Sequence, residues 1–179
     1  ILDARHIVNH YEETQLVEIF KEYGEERFAK RIAGNICKTR VLKEIETTFE
    51  LSEIVKKSIP FSREKKHPAT RVFQAIRIEV NQEMNELSLA LPLLFDALKN
   101  KGRFAVLTFH SLEDRIIKNY FKQLTRPPAD NIPKFIPIKD KDIDQETSAI
   151  SICSKAPSDN EIKRNPRSRS ARLRVIEKK

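Results

Sequence analysis

The chain has 179 residues, of which 39% are hydrophobic and 34% charged, and its net charge at pH 7 is +8. A chain of this length builds one ordinary core, or one core with a small satellite. No apolar run approaches the roughly 20 residues that span a bilayer, and residues 1–5 lack the basic start and apolar stretch of a secretory signal. We therefore expect a globular protein with no membrane partner.

The positive charge is concentrated at the end of the sequence. Residues 155–179 hold nine Lys or Arg and three Asp or Glu, which accounts for +6 of the total of +8. A concentrated basic segment indicates a polyanionic partner. Charge alone leaves RNA, DNA, an anionic membrane surface and a merely solvated basic tail as alternatives.

Cysteine and glycine usage excludes two kinds of site. Cys37 and Cys153 lie far apart and outside any metal-ligand spacing, which predicts reduced thiols and no metal site. Only three glycines are present, Gly24, Gly34 and Gly102, and no two lie within five positions of each other. Nucleotide-binding loops need clustered glycines so that the backbone can approach the ligand. The sequence therefore has no loop of this kind.

Apolar spacing of i, i+3, i+4 and i+7 predicts that the first hundred residues are helical. A first helix is expected to be capped at Gly24, a second to cover about 25–38, a third to stop before Pro60, and a long one to run from Pro68 until Pro92 kinks or restarts it.

The pattern changes after Gly102. Residues 103–109 form a short apolar run typical of a buried strand, and the sequence from Ser111 to Asp114 matches a capping box that opens a helix. A strand followed by a sharp turn and a capped helix is half of a βαβ unit.

The remaining residues predict an irregular segment and two more strands. Four prolines between residues 126 and 148 indicate a surface loop, and residues 149–153 are a candidate strand. A capping box at Ser158 opens a short helix that stops before Pro166. In residues 171–177, alternation predicts a last strand with Leu173 and Val175 inward and Arg172 and Arg174 outward.

The turn after residue 109 is the first candidate site. His110, Ser111 and Asp114 follow the carboxyl end of a strand, where open α/β sheets bind ligands. Ser111 and Asp114 are equally explained as a helix cap, which leaves His110 as the residue that needs a further explanation.

Two other segments are candidate RNA contacts. On the long helix, Arg71, Gln74, Arg77 and Asn81 form a polar stripe with donors suited to phosphates and base edges, although a solvated helix face is an alternative. Near the end of the chain, arginines alternate with small or apolar residues and suit bidentate phosphate contact, with an exposed sheet edge as the alternative. These are Arg167, Arg169, Arg172 and Arg174.

Together these segments resemble one family, the bacterial small-subunit rRNA (cytosine-N4) methyltransferases called MraW or RsmH. The matching stretches are VNHYEETQLVEIFKEYGEERFAKRIAGNI (8–36), HPATRVFQAIRIEVNQEMNEL (67–87), GRFAVLTFHSLEDRIIK (102–118) and NPRSRSARLRV (165–175). They follow the family's order and cover nearly the whole chain, so the resemblance is far more specific than any single motif.

The resemblance implies an α/β fold: the C-terminal half of a class I, Rossmann-like methyltransferase sheet with an inserted all-helical domain. Residues 1–6 would be a remnant after the fourth strand, 7–100 the helical insertion, and 101–179 the C-terminal part of the core. The strand at 103–109 would then lack its fourth-strand neighbour along one edge.

The family also implies an activity. Its members use S-adenosylmethionine to methylate N4 of a cytosine in small-subunit ribosomal RNA, and they are cytoplasmic. The expected partner is this RNA or the assembled small subunit, with no DNA involved. The family's cofactor-binding residues come earlier than anything in this sequence, so none is assigned here and the chain alone is expected to be inactive. A non-catalytic RNA-binding or ribosome-assembly module is the alternative.

Overall fold

The structure is a computed structural model that describes residues 2–60, 67–126 and 147–179. It contains two compact units, residues 1–83 and 84–179. The expected loop between residues 126 and 148 falls almost entirely outside the described residues, as does most of the segment before His67.

The first unit is helical, as its apolar spacing predicts. Its apolar stripes meet in one core, where Phe20, Ile32 and Val72 are completely buried. The helices are α1 (Ala4–His10), α2 (Glu13–Glu22), α3 (Ala29–Leu42), α4 (Thr48–Ser58) and α5 (Thr70–Asn81).

The long helix predicted from Pro68 is two helices, and the break is not at Pro92. Gln82 adopts a left-handed conformation with φ of 52°, which ends α5, and α6 (Glu83–Asp96) begins at the next residue. Pro92 lies inside α6. Leu91 and Phe95 of this helix are buried in the core of the second unit. The boundary between the two compact units thus falls after Glu83, at the start of α6, and the helical part of the chain continues to Asp96.

Gly24 has a different role from the one expected. The left-handed residue after α2 is Glu25, with φ of 48°, and no glycine in the described ranges has a positive φ. A Cβ atom on Gly24 would lie 2.7 Å from the carbonyl oxygen of Phe20 and 2.8 Å from that of Arg71. The glycine is needed because the backbone of α5 comes so close to the end of α2.

The second unit packs α6 and a second long helix onto a three-stranded sheet. After α6 come β1 (Arg103–Thr108), α7 (Ser111–Thr125), β2 (Ala149–Lys155), α8 (Asp159–Arg164), a 3₁₀ helix (Pro166–Ser170) and β3 (Arg172–Lys178). The core joins Leu91 and Phe95 to Ile117, Phe121 and Ile176.

The last strand lies in the middle of the sheet. The strand order is β1–β3–β2, and β3 is antiparallel to both neighbours. The strands β1 and β2 therefore run in the same direction, as a βαβ reading expects, but β3 separates them. Among the described residues, β1 is an edge strand that pairs with β3.

The facing of β3 is opposite to the prediction. Ile176 is 1% exposed and packs with α6 and α7, and it pairs with Phe104 of β1. Since side chains alternate along a strand, Arg174 shares this inner face with Ile176. The sequence predicted Leu173 and Val175 inward because they are apolar. Arg174 can face inward because Asp114 of α7 neutralises its charge.

The two glycines of the first unit give a matched test of this packing. We expect Gly24→Ala to destabilise the protein by about 1–3 kcal/mol, because the added methyl group meets two backbone carbonyls that cannot move independently. Gly34 lies inside α3, and a Cβ atom there would be 3.6 Å from the flexible Glu13 side chain. Gly34→Ala should therefore stabilise the protein by up to about 1 kcal/mol. Denaturant unfolding measures both, and equal effects would rule out this account of Gly24.

Candidate functional site

The turn between β1 and α7 is held by an interlocked cap. His110, not Ser111, is the N-cap residue, and its Nδ1 accepts a hydrogen bond of 3.4 Å from the backbone N–H of Glu113. The Glu113 carboxylate in return accepts from the backbone N–H groups of Phe109, at 2.8 Å, and His110, at 3.3 Å. The predicted capping box therefore exists one residue earlier than expected, and Ser111 is the first residue of the helix.

The second nitrogen of His110 is the unusual atom of this turn. Nε2 lies 3.1 Å from Oε1 of Glu113, which is within ion-pair distance. The geometry is not that of a hydrogen bond, however, and the atom is buried with no hydrogen-bond partner in the described part of the chain. A buried polar atom without a partner has a free-energy cost, so it is a suitable contact for a bound molecule. This observation favours His110 over Ser111, which is exposed.

Moving the cap to His110 and Glu113 leaves Asp114 available for a different contact. Its two carboxylate oxygens accept hydrogen bonds of 2.7 and 2.9 Å from Nε and Nη2 of Arg174. The side chains are 22% and 18% exposed. The hydrogen bonds from Arg174 hold the pKa of Asp114 below its usual range. Nη1 of Arg174 also donates to Oγ of Ser154 on β2, at 3.1 Å.

The C-terminal arginines do not form the continuous row that alternation suggested. Arg167 and Arg169 lie on the 3₁₀ helix, which is held by Asn165 at its start, and both are exposed. Arg172, at the start of β3, is also exposed and lies close enough to lower the pKa of Asp114. Arg174 is committed to Asp114, so three of the four guanidinium groups face solvent.

The polar stripe of α5 is engaged within the first unit. Arg77 makes a two-bond ion pair with Glu83, at 2.9 and 3.0 Å, and Asn81 donates to the same carboxylate. Gln74 donates to the backbone carbonyl of Tyr23. Arg71, on the same helix, also has an interaction partner. These donors would have to exchange intramolecular contacts for RNA contacts.

Sequence reasoning missed the roles of Glu113 and Ser154. Glu113 is three residues after His110, the spacing of a capping box, so a search that allowed histidine as the cap would have found it. Ser154 carried no signal, because its contact with Arg174 depends on the pairing of β2 with β3.

No group of His, Cys, Asp or Glu in the described ranges could hold a metal ion. No helix in the same ranges is long and apolar enough to cross a membrane.

The second unit has a strand that leads through a polar turn into a capped helix, and exposed arginines lie nearby. These features define a mixed α/β protein, and the arginines suit an anionic ligand. The chain belongs to the MraW methylase family, whose sequence profile matches residues 1–179.

Curated relatives agree with this family. The chain is 48% identical over 180 aligned residues to the Ribosomal RNA small subunit methyltransferase H of Legionella pneumophila strain Corby, and 46% identical over 177 to that of Coxiella burnetii strain Dugway 5J108-111. Each alignment covers 99% of this chain and 56% of the relative. The chain thus spans just over half the length of these proteins.

The family implies S-adenosylmethionine, but the three glycines of the described ranges do not form a cradle for it. A Cβ atom on Gly24 or Gly102 would collide with backbone carbonyls of the chain, and one on Gly34 would contact Glu13. Gly24 and Gly102 therefore serve close backbone packing, and Gly34 lies inside α3 against Glu13. None provides the open backbone that a nucleoside cofactor needs.

The pair of Asp114 and Arg174 gives the site a defined pH response. Asp114→Asn leaves the Arg174 charge without its partner and should destabilise the protein by about 1–3 kcal/mol at pH 7. Because the folded pKa of Asp114 is lowered, this stabilisation is present above the usual Asp pKa of about 3.9 and is lost as the pH falls through the folded value.

Denaturant unfolding between pH 7 and pH 3 measures this difference. The difference in free energy of unfolding between the wild type and Asp114→Asn should become smaller below about pH 4. The exposed Asp159→Asn on α8 is the control, with an expected change within about 0.5 kcal/mol. A gap that stays constant with pH would contradict the ion-pair explanation.

Proposed function

We propose that a protein containing this chain is an S-adenosylmethionine-dependent methyltransferase that modifies N4 of a cytosine in small-subunit ribosomal RNA. The observation that carries the proposal is the match of all 179 residues to the MraW methylase family, together with 46–48% identity to relatives named ribosomal RNA small subunit methyltransferase H. The substrate is this RNA or the assembled small subunit rather than DNA, and the location is the cytoplasm.

The sheet supports an assignment to the C-terminal half of a class I methyltransferase core. The strands β1 and β2 run in parallel, and α7 follows β1 as the start of a crossover connection. The second face of the sheet carries apolar side chains that are about half exposed, Leu107 at 55% and Ile150 at 49%. Such residues are typical of a sheet that is covered on both faces. The proposed domains are a remnant after the fourth strand at 1–6, the helical insertion at 7–100 and the C-terminal part of the core at 101–179.

The chemistry depends mainly on how the base is held. The lone pair of cytosine N4 is delocalised into the ring, so the amine is a poor nucleophile and its orientation decides the rate. A paired cytosine must first be turned out of its helix or be presented unpaired. In this proposal His110 contacts the bound nucleotide through its unpartnered Nε2, while Glu113 fixes the ring.

The test uses a protein that carries this chain together with the remaining length of its relatives. It is incubated with labelled S-adenosylmethionine and small ribosomal subunits, and the digested RNA is analysed by mass spectrometry. Label in N4-methylcytidine is the expected result. Label in another nucleoside would reject the proposed position, and absence of label would reject the activity.

A variant of His110 tests its role in the same assay. Asparagine is also a good N-cap, so His110→Asn should preserve α7 while removing Nε2. We expect kcat to fall at least about tenfold, since a misplaced contact can cost on the order of 100-fold, with an unchanged melting temperature. Ser111→Ala is the control and should remain near wild-type activity. Equal activity of the two variants would limit His110 to helix capping.

A non-catalytic RNA-binding or ribosome-assembly role is the second candidate, favoured for this chain alone by its lack of a glycine loop. We expect no calorimetric binding of S-adenosylmethionine to the isolated chain at micromolar concentrations. One-site binding in that range would contradict this expectation. The same chain should still bind RNA, whereas a segment without an independent role should bind neither.

The C-terminal arginines should contribute more to RNA affinity than the stripe on α5. Arg167 and Arg169 are exposed, while Arg77 would first have to leave Glu83. Changing Arg167 and Arg169 to Ala should reduce the slope of log affinity against log salt by up to about two, with no change in sequence preference. Changing Arg71 and Arg77 to Ala is the comparison. A larger loss from this helix pair would assign the RNA contact to the helical unit.

A further inference from the structure

A cationic cavity lies between α7 and β2, away from the turn at His110. It has a volume of about 500 Å³. Its charged lining residues are Lys118 and Lys122 of α7, Arg126 directly after this helix and Arg174 of β3, and none of the described lining residues is acidic. Ser151 and Ser154 contribute hydroxyl groups from β2. The lining therefore consists of cations and hydrogen-bond donors around an apolar base formed by residues such as Phe121 and Ile176.

Three of these cations make no ion pair or side-chain hydrogen bond in the described ranges, although Lys118 lies close enough to Asp114 to lower its pKa. Arg174 is neutralised by Asp114, but no ion pair or side-chain hydrogen bond involves Lys118, Lys122 or Arg126 there. All three are exposed. Lys118 and Lys122 are four residues apart on one side of α7, about 6 Å along its axis, and Arg126 follows four residues later, directly after the helix ends. This interval is comparable with the distance between successive phosphates of a nucleic acid strand.

We propose that this cavity binds the phosphate backbone of the substrate RNA as a single strand, with Lys118, Lys122 and Arg126 each meeting a phosphate. The inference rests on the proposed function. Lys118 lies roughly 11 Å along the axis of α7 from Ser111, the first residue of this helix, which is next to the turn at His110. A strand with one nucleotide at His110 can therefore lay its neighbouring backbone along α7.

The rigid part of the cavity is the guanidinium group of Arg174. Its contacts with Asp114 and Ser154 fix the plane before any ligand arrives, and it donates three of its hydrogen bonds in doing so. Lys118 and Lys122, which line the same cavity, are flexible point charges that suit an RNA backbone of any sequence. The cavity should accordingly bind RNA without sequence preference and add affinity, not specificity.

The experiment compares two triple variants of equal charge change. One replaces Lys118, Lys122 and Arg126 by Gln, and the control replaces Lys21, Lys30 and Lys38, which are exposed on the helical unit. Arg174 is left intact because Asp114 depends on it. Affinity for a mixed-sequence single-stranded RNA is measured across salt concentrations on the full-length protein described above.

We expect the cavity variant to bind roughly ten- to a hundredfold more weakly at 0.1 M salt and to lose about two units of salt slope, since each single-strand phosphate contact contributes about 0.7. The control should lose much less. Equal losses in both variants would overturn the proposal, because they would reflect net charge alone. An unchanged affinity with reduced stability would assign the three residues to the dipole of α7 and also overturn it.

Inorganic phosphate distinguishes a nucleic acid backbone from a small phosphorylated ligand. Millimolar phosphate should not raise the melting temperature of the wild type. Stabilisation of the wild type but not of the cavity variant, with RNA affinity unchanged, would assign the cavity to a small anion instead. If the wild type neither binds nor methylates RNA, the proposed function itself fails. If both proteins bind and methylate equally, only the cavity proposal fails.

Discussion

The ion pair between Asp114 and Arg174 is the interaction on which the arrangement of the second unit depends. It joins the first turn of α7 to the central strand of the sheet, and the contact of Arg174 with Ser154 extends it to β2. With side chains about one-fifth exposed, the two charges are protected from much of the solvent screening that weakens surface pairs. Breaking it would leave a charge facing the apolar cluster of Ile117 and Ile176.

This ion pair also determines which other groups are available. Arg174 is held by Asp114 and its side chain is 18% exposed, whereas Arg167, Arg169 and Arg172 are exposed. Glu113, the neighbour of Asp114, caps α7, and the cap in turn fixes the imidazole of His110. The unpartnered Nε2 therefore lies about one helical turn before the ion pair.

The arrangement divides two tasks between the two ends of α7. The amino end presents a rigid turn with one buried polar atom, which suits recognition of a single nucleotide. The carboxyl half presents exposed cations beside a cavity, which suits a backbone of any sequence. The proposed action on one base of a large RNA would use both properties, and α7 would link them.

The sequence by itself determined the helices, the strand after Gly102, the basic end and the family, because apolar periodicity, capping residues and long matching stretches are local signals. It did not determine the facing of β3, since Leu173 and Val175 are apolar and Arg174 is charged. Only the pairing of Arg174 with Asp114, sixty residues away, reverses that choice. The break at Gln82 and the close approach at Gly24 were likewise decided by tertiary packing. A local pattern records the polarity of a side chain but not the distant partner that allows it to be buried.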